Sequence, residues 1–157
     1  MLYLVATPIG NVQDITVRAL GVLQSVTMIA CEDSRKTGQL LAYHNIKAKL
    51  VPCHEHNEMR VIPKLIAALQ AGEDVALVSD AGMPAISDPG YMVVREAIAY
   101  DIPMTSLPGA NAVLPALQLS GLAVHSFTFR GFAPRKSGKR KSFLQQDIDS
   151  TATLIYY

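Results

Sequence analysis

Five short apolar segments, each followed by a turn and a stretch of helical periodicity, constrain the fold of this chain most. The predicted strands cover residues 2–6, 26–31, 49–53, 75–78 and 102–107. Sequential strand–helix units favour a parallel sheet with right-handed crossovers and helices on its faces. The sequence therefore predicts an α/β fold over residues 1–120, with a five-stranded, mostly parallel sheet flanked by helices.

The pattern changes after Gly121. Residues 126–130 alternate, with Phe127 and Phe129 on one face of a predicted strand, and a basic loop follows at 131–138. A short helix over 142–147 and a strand over 153–157 complete the chain. We interpret residues 121–157 as the incomplete start of a second α/β domain.

Composition indicates an ordinary globular protein. Hydrophobic residues make up 50% and charged residues 17% of the chain, which excludes a disordered composition. No apolar run reaches the ~18 residues that a membrane span requires, and the first residues lack signal-peptide features. We expect a cytoplasmic protein without membrane contact, in which Cys31 and Cys53 are reduced core thiols.

Basic side chains are concentrated in one segment near the end of the sequence. Residues 102–157 carry six basic and two acidic side chains, and five of the six lie at 135–141. Such a cluster is a candidate phosphate contact, although a solvated charged segment is the alternative. The five residues are Arg135, Lys136, Lys139, Arg140 and Lys141.

Turns rich in glycine, proline and polar residues follow the predicted strands. In a parallel sheet these turns collect at one edge, where open α/β folds bind ligands. The loop after the fourth strand, residues 79–90, is the most elaborate, and Ser87 or Asp88 is its expected helix cap. The sequence therefore predicts a ligand pocket at this edge.

Charged residues follow the second and third predicted strands. Glu32, Asp33 and Arg35 follow the second, and His54 and Glu55 follow the third. One interpretation is a polar site; the alternative is a helix over 36–44 capped by Ser34, with solvated neighbours. A metal site at 54–58 is disfavoured, because alternating side chains point apart and no further ligand follows at zinc-like spacing.

Several motifs in this order resemble the tetrapyrrole methylase superfamily, and within it the methyltransferases of small-subunit ribosomal RNA. They are Thr-Pro-Ile-Gly-Asn at 7–11, Asp-Ile-Thr at 14–16, Arg-Ala-Leu at 18–20, Glu-Asp-Ser-Arg at 32–35, His-Glu-His-Asn-Glu at 54–58, Val-Ala-Leu-Val-Ser-Asp-Ala-Gly at 75–82, Ser-Asp-Pro-Gly-Tyr at 87–91, Pro-Gly at 108–109 and Gly-Phe-Ala-Pro-Arg-Lys at 131–136. The resemblance runs from Leu2 to the last residue. The sequence departs from the pattern at Ser34 and Met83, where the family usually has Thr, and at 110–111.

The resemblance implies an enzyme that uses S-adenosylmethionine to methylate a cytidine ribose 2′-hydroxyl in the small-subunit (16S) RNA. It also implies a homodimer whose subunits have two α/β domains, with the donor between them. The expected donor-binding residues are Pro8, Ser79, Asp80, Gly82, Met83, Ile86, Ser87, Pro108 and Ala110. The expected catalytic residues are Arg35, Glu32, Asp33 and Glu55, with His54 as a further candidate, and the basic segment is the expected RNA contact.

Two alternatives stay open. A methylase of the same fold acting on a tetrapyrrole or another small molecule would not need the basic segment. A non-catalytic donor-binding or dimerisation fragment fits the short second domain.

Overall fold

The computed structural model describes all residues from Met1 to Tyr157. It divides into two compact units, Met1–Asn111 and Ala112–Tyr157. The helix at Val113–Leu119 therefore groups with the second unit, whereas the sequence predicted a boundary after residue 120. None of the helices is long and apolar enough to cross a bilayer.

The first unit is a five-stranded sheet with helices on both faces. The strands lie in the order β3-β2-β4-β1-β5, and every neighbouring pair is parallel. This arrangement confirms the predicted fold class. The elements are β1 (Leu2–Val5), α1 (Val17–Ser25), β2 (Met28–Cys31), α2 (Ser34–Tyr43), β3 (Leu50–Pro52), α3 (Glu58–Gln70), β4 (Val75–Val78), α4 (Tyr91–Ala99) and β5 (Met104–Leu107).

Alternating side chains of β4 supply the core on both faces of the sheet. Leu77 packs in the core with Leu65 of α3 and Val93 of α4. Its neighbour Ala76 belongs to the opposite core, which includes residues of α1 and α2 such as Leu23. A strand that is buried on both faces has a continuous run of apolar residues, and this run is why β4 could be predicted from the sequence.

Strand order determines which turns are neighbours. Because β1 lies between β4 and β5, the chain segments that leave these three strands start side by side at one edge of the sheet. The ends of β2 and β3 continue this edge beyond β4. The topology thus gathers the glycine-rich turns on one side and the charged strand ends on the other.

The predicted caps of two helices are wrong. Asp33, rather than Ser34, caps α2, because its carboxylate accepts the backbone N–H of Arg35. Ser87 and Asp88 do not cap α4. The N-cap residue of this helix is Gly90, which has a φ of 117°. Helix α3 begins at Glu58 and contains Pro63.

The second unit contains two helices and a small sheet. Helices α5 (Val113–Leu119) and α6 (Ser137–Gln145) accompany strands β6 (Phe127–Phe129) and β7 (Thr153–Ile155), which pair in parallel. Helix α6 starts earlier than predicted, since lysine and arginine are good helix formers. Lys139, Arg140 and Lys141 therefore lie on a helix and not in a loop.

A buried carboxylate from α3 caps the start of α4. Glu58 Oε1 accepts the backbone N–H groups of Gly90, Met92 and Val93 at 3.1, 3.1 and 3.2 Å. The first N–H groups of a helix have no intrahelical partner, and a carboxylate also suits the positive end of the helix dipole. Glu58, which is 8% exposed, thus fixes α4 against α3.

Replacing Glu58 by alanine leaves these N–H groups without an acceptor. We expect Glu58→Ala to lower the free energy of unfolding by about 2–4 kcal/mol, measured by urea denaturation. Glu58→Gln, which keeps one acceptor oxygen, should lose less. The exposed Glu55 provides the control: Glu55→Ala should change stability by less than about 0.5 kcal/mol. Equal losses for the Glu58→Ala and Glu55→Ala variants would contradict the capping role.

Candidate functional site

The turns after β1 and β4 are joined by backbone hydrogen bonds. The N–H of Thr7 donates to the carbonyl of Gly82 at 3.0 Å, and the N–H of Gly82 donates to the carbonyl of Thr7 at 2.9 Å. The buried hydroxyl of Thr7 donates to the carbonyl of Ser79 at 3.0 Å. These bonds make the two turns a single rigid surface.

The turn after β5 closes against both of the others. A Cβ at Gly82 would lie 3.4 Å from the Ile9 side chain and 3.7 Å from the Ala110 carbonyl. A Cβ at Gly109 would lie only 2.7 Å from Cβ of Ala6, so this approach requires glycine. We name the three turns (residues 6–10, 79–83 and 108–110) the cradle. It consists of backbone carbonyls, glycines and apolar side chains, together with three polar residues: Thr7, Ser79 and Asp80.

A cavity of about 240 Å³ lies between the cradle and α2. Three of the predicted donor-binding residues, Pro8, Ser79 and Asp80, line it. Thr7 and Lys36 also line it, and sequence reasoning did not assign them to the site. Thr7 is the first residue of the Thr-Pro-Ile-Gly-Asn motif, and Lys36 directly follows the Glu-Asp-Ser-Arg motif. Their positions at these motifs were the available signal.

The remaining predicted donor-binding residues differ in their exposure to solvent. The hydroxyl of the buried Ser79 points back to the carbonyl of Gly82 at 3.3 Å, which braces the loop. Ile86 is 55% exposed on the same loop, and Ser87 lines a different cavity. Met83, Pro108 and Ala110 are at least partly accessible. Contact of these residues with a donor stays a prediction.

Paired charges join the ends of β2 and β4. Lys36 Nζ lies 2.7 Å from Oδ2 of Asp80, and the backbone N–H of Asp33 donates to Oδ1 of Asp80 at 3.1 Å. The N–H of Asp80 in turn approaches Oε2 of Glu32 at 3.4 Å. Asp80 therefore braces the strand ends. Its predicted contact with the donor would use the lone pairs that these partners leave.

Arg35 and Asp33 form a bidentate pair at the start of α2. Arg35 Nε and Nη2 donate to the two carboxylate oxygens of Asp33 at 3.1 and 2.7 Å. The guanidinium and then the backbone N–H of Arg35 hold the pKa of Asp33 well below its usual range. A carboxylate with a lowered pKa is a weak proton acceptor, which disfavours Asp33 as a general base.

A second cavity, of about 600 Å³, lies at the ends of β2 and β3 and beside the loop before α4. Its lining includes the predicted catalytic residues Glu32 and Glu55 and the candidate His54. Glu58 also reaches it, but its carboxylate is committed to the α4 cap. No group of three or more His, Cys, Asp or Glu side chains is arranged to hold a metal ion. Asp33 and Arg35 do not line this cavity.

The basic residues predicted to contact RNA all lie in the second unit. They are exposed: Arg135 and Lys136 precede α6, and Lys139, Arg140 and Lys141 lie on it.

Both cysteines are buried and unpaired. Burial raises the pKa of the Cys53 thiol to about 12.

The close approach of Gly109 to Ala6 gives a direct test of the cradle. In Gly109→Ala the new methyl group would overlap Cβ of Ala6, and the backbone of one turn must move. We expect a loss of about 1–3 kcal/mol in unfolding free energy, measured by urea denaturation. Gly21→Ala is the control, because Gly21 lies in a helix with open space around it; its stability should stay the same or rise by up to about 1 kcal/mol. A Gly109→Ala variant as stable as the parent would contradict the packing.

The ion pair of Asp33 predicts a pH effect. In Arg35→Ala we expect the pKa of Asp33 to rise, while staying below about 3.9 because the backbone cap remains. Since folding lowers this pKa, the pair stabilises the chain above about pH 3.9 and loses its effect as pH falls toward the folded value. Carboxylate NMR titration measures the shift, with Arg95→Ala as the control. An unchanged Asp33 titration would show that Arg35 does not determine it.

The curated proteins that this chain resembles are named methyltransferases. A protein from Halalkalibacterium halodurans named ribosomal RNA small subunit methyltransferase I is 51% identical over 156 residues, covering 99% of this chain and 54% of that protein. The protein of that name from Vibrio cholerae is 50% identical, covering 100% of this chain and 54% of that protein. The chain therefore spans about half the length of these relatives.

Solved structures share the fold. Uroporphyrin-III-C-methyltransferase from Thermus thermophilus superimposes with a TM-score of 0.64 at 25% identity, covering 92% of this chain and 73% of that one. A second structure of a T. thermophilus uroporphyrin-III C-methyl transferase, at 21% identity and a TM-score of 0.62, is complexed with S-adenyl homocysteine and covers 84% of this chain and 58% of that one. Diphthine synthase, at 17% identity and a TM-score of 0.69, covers 93% of this chain and 61% of that one; these two show the fold alone.

The family comparison agrees with the motifs. The model of the tetrapyrrole (corrin/porphyrin) methylases matches residues 1–157. The match with the curated relatives covers 99% and 100% of the chain. The resemblance predicted from the motifs is confirmed: the chain belongs to the tetrapyrrole methylase family.

Proposed function

We propose that this chain is the donor-binding part of a methyltransferase that transfers the methyl group of S-adenosylmethionine to a cytidine ribose 2′-hydroxyl in small-subunit ribosomal RNA. The observation that carries the proposal is the identity of about half of all residues with relatives named ribosomal RNA small subunit methyltransferase I. A protein of the same fold that binds S-adenyl homocysteine supports the choice of donor. The relatives are longer, so the activity is proposed for the whole protein.

The cradle has the chemistry that a sulfonium donor requires. A strongly anionic wall would stabilise the cationic donor more than the transition state, in which that charge is being lost. Carbonyls and apolar groups, such as those around Gly82 and Ala110, avoid this effect while holding the donor in place. Asp80, the one carboxylate of the cradle, is paired with Lys36. Positioning donor and acceptor for in-line attack can supply about 7–11 kcal/mol of the barrier.

The transfer is a single displacement. The ribose oxygen forms a bond to the methyl carbon, the carbon–sulfur bond breaks, and S-adenosylhomocysteine leaves as the neutral thioether. The hydroxyl proton passes to a base, and we propose Glu32 for this role. Glu32 lines the larger cavity and contacts the loop of Asp80, whereas the carboxylate of Asp33 is held by Arg35.

The basic segment supplies the RNA contacts in this proposal. Exposed lysine and arginine side chains bind phosphates and position an RNA without reading its sequence. The curated relatives are named as methyltransferases of ribosomal RNA, which supports an RNA partner. We extend the proposal to a cytoplasmic homodimer acting on the small ribosomal subunit.

The second candidate function is methylation of a tetrapyrrole. It is favoured by the structural similarity to uroporphyrin-III-C-methyltransferase at 25% identity. A non-catalytic donor-binding fragment is the third possibility, given the length of the chain relative to its relatives.

One assay separates these candidates. S-adenosylmethionine carrying a labelled methyl group is offered to the protein with small ribosomal subunits, with naked small-subunit RNA or with uroporphyrinogen. We expect label in the RNA, at a cytidine 2′-oxygen after nuclease digestion. Label in uroporphyrinogen would establish the second candidate. Donor binding without transfer to any substrate would establish the third.

Removing three charges from α6 tests the RNA contact. In the triple variant Lys139→Gln, Arg140→Gln and Lys141→Gln, we expect weaker binding to small-subunit RNA at low salt. The slope of log affinity against log salt should fall in magnitude by about 2–3. The control replaces three exposed lysines of the first unit by Gln: Lys47, Lys49 and Lys64. An unchanged slope in the α6 variant would remove this helix from the RNA interface.

A further inference from the structure

The larger cavity has no assigned ligand, although it adjoins the cradle. It shares no lining residue with the smaller cavity, but Glu32 on its wall contacts the backbone of Asp80 on the wall of the other. Its volume of about 600 Å³ falls inside the range of about 300–1,000 Å³ that is usual for small-molecule sites. A group bound there would therefore lie next to the donor.

The charge of this cavity selects against phosphate. Its lining contains the carboxylates of Glu32, Glu55, Asp88 and the helix-capping Glu58, and no lysine or arginine. Burial, and then the nearby charges of Glu32 and Asp80, raise the pKa of Asp88. No lysine or arginine of this wall pairs with these carboxylates, and the basic side chains that line it are the imidazoles of His54 and His56. A fitting ligand carries N–H donors and no negative charge.

The walls also offer flat surfaces for a planar ligand. The rings of His54 and His56 lie edge to face at 6.0 Å, and the ring of Tyr91 is 61% exposed. The guanidinium of Arg95 lies 5.8 Å from the centre of the Tyr91 ring and restrains it. Aromatic rings of this kind stack on bases that have left their own stack.

The loop at the rim of the cavity is held in a strained conformation. Ala85 and Ser87 adopt φ angles of 66° and 60°, which are costly for residues with a Cβ. The loop is held by a hydrogen bond from the N–H of Ala85 to the carbonyl of Pro89 at 3.2 Å and by the Glu58 cap. Such strain persists where the surroundings impose it, and it is concentrated at ligand sites.

We propose that this cavity binds the base of the target nucleotide and selects a base with an exocyclic amino group. Asp88 and Glu55 accept hydrogen bonds from the amino group, and Tyr91 stacks on the ring. The inference rests on the proposed function, because a base held here would present its ribose toward the cradle. Carboxylates pair with the cytosine amino group, whereas the uracil carbonyl at the same position offers only an acceptor.

The test compares cytidine with uridine as ligands of the protein saturated with S-adenosylhomocysteine. Binding is followed by the NMR signals of the His54 and His56 rings. We expect cytidine to bind at least about tenfold more tightly than uridine. In Asp88→Asn the ratio should fall below about threefold, because a carboxamide also donates to the uracil carbonyl. Asp101→Asn, at an exposed position outside the cavity, should keep the parent ratio.

A second pair of variants tests the stacking surface. Tyr91→Ala should weaken cytidine binding by about tenfold, and the exposed Tyr100→Ala should not. Equal binding of cytidine and uridine, no cytidine binding, or an Asp88→Asn ratio like that of the parent would overturn the inference. So would displacement of the histidine signals by inorganic phosphate alone. If these failures occur while donor binding and RNA labelling persist, the proposed function stands; if RNA labelling fails, the proposed function falls.

Discussion

Two backbone hydrogen bonds between Thr7 and Gly82 hold the candidate donor site together. Strands β1 and β4 run in parallel, yet this bridge beyond their ends is antiparallel, so the loop after β4 must reverse direction. Gly82 makes the reversal possible with a φ of 84°, and the hydroxyl of Thr7 secures it on the Ser79 carbonyl. Without this bridge the turn after β5 would have no fixed surface to pack against.

Charge is divided between two neighbouring environments. Near the cradle, Asp33 and Asp80 are paired with Arg35 and Lys36, so the edge carries alternating signs that brace α2 against the strand ends. In the larger cavity, carboxylates such as Asp88 have no lysine or arginine partner on the wall. The ion pairs of Asp33 and Asp80 hold α2 against the strand ends. The carboxylate of Asp88, in contrast, can accept hydrogen bonds from a ligand. The same sheet edge thus provides two kinds of binding surface, linked through the Glu32–Asp80 contact.

The sequence predicted what depends on local pattern and missed what depends on distant contacts. Strand β4 was predicted at its observed bounds, because an apolar run between charges and glycine has one simple interpretation. The Glu58 cap joins residues more than thirty positions apart, and the nearby Ser87 and Asp88 were plausible local alternatives. Lys36 and its partner Asp80 lie even farther apart in the sequence, by 44 positions. Residue type signalled that these groups are polar, but only the strand order shows which ones meet.

We propose that the turns after β1, β4 and β5 form one surface that binds the methyl donor. Backbone NMR of the chain titrated with S-adenosylhomocysteine tests this directly. We expect the amide signals of Ile9, Gly82 and Ala110 to shift together along a single binding curve. Shifts confined to other parts of the chain, or to one of these turns with the other two unmoved, would contradict it.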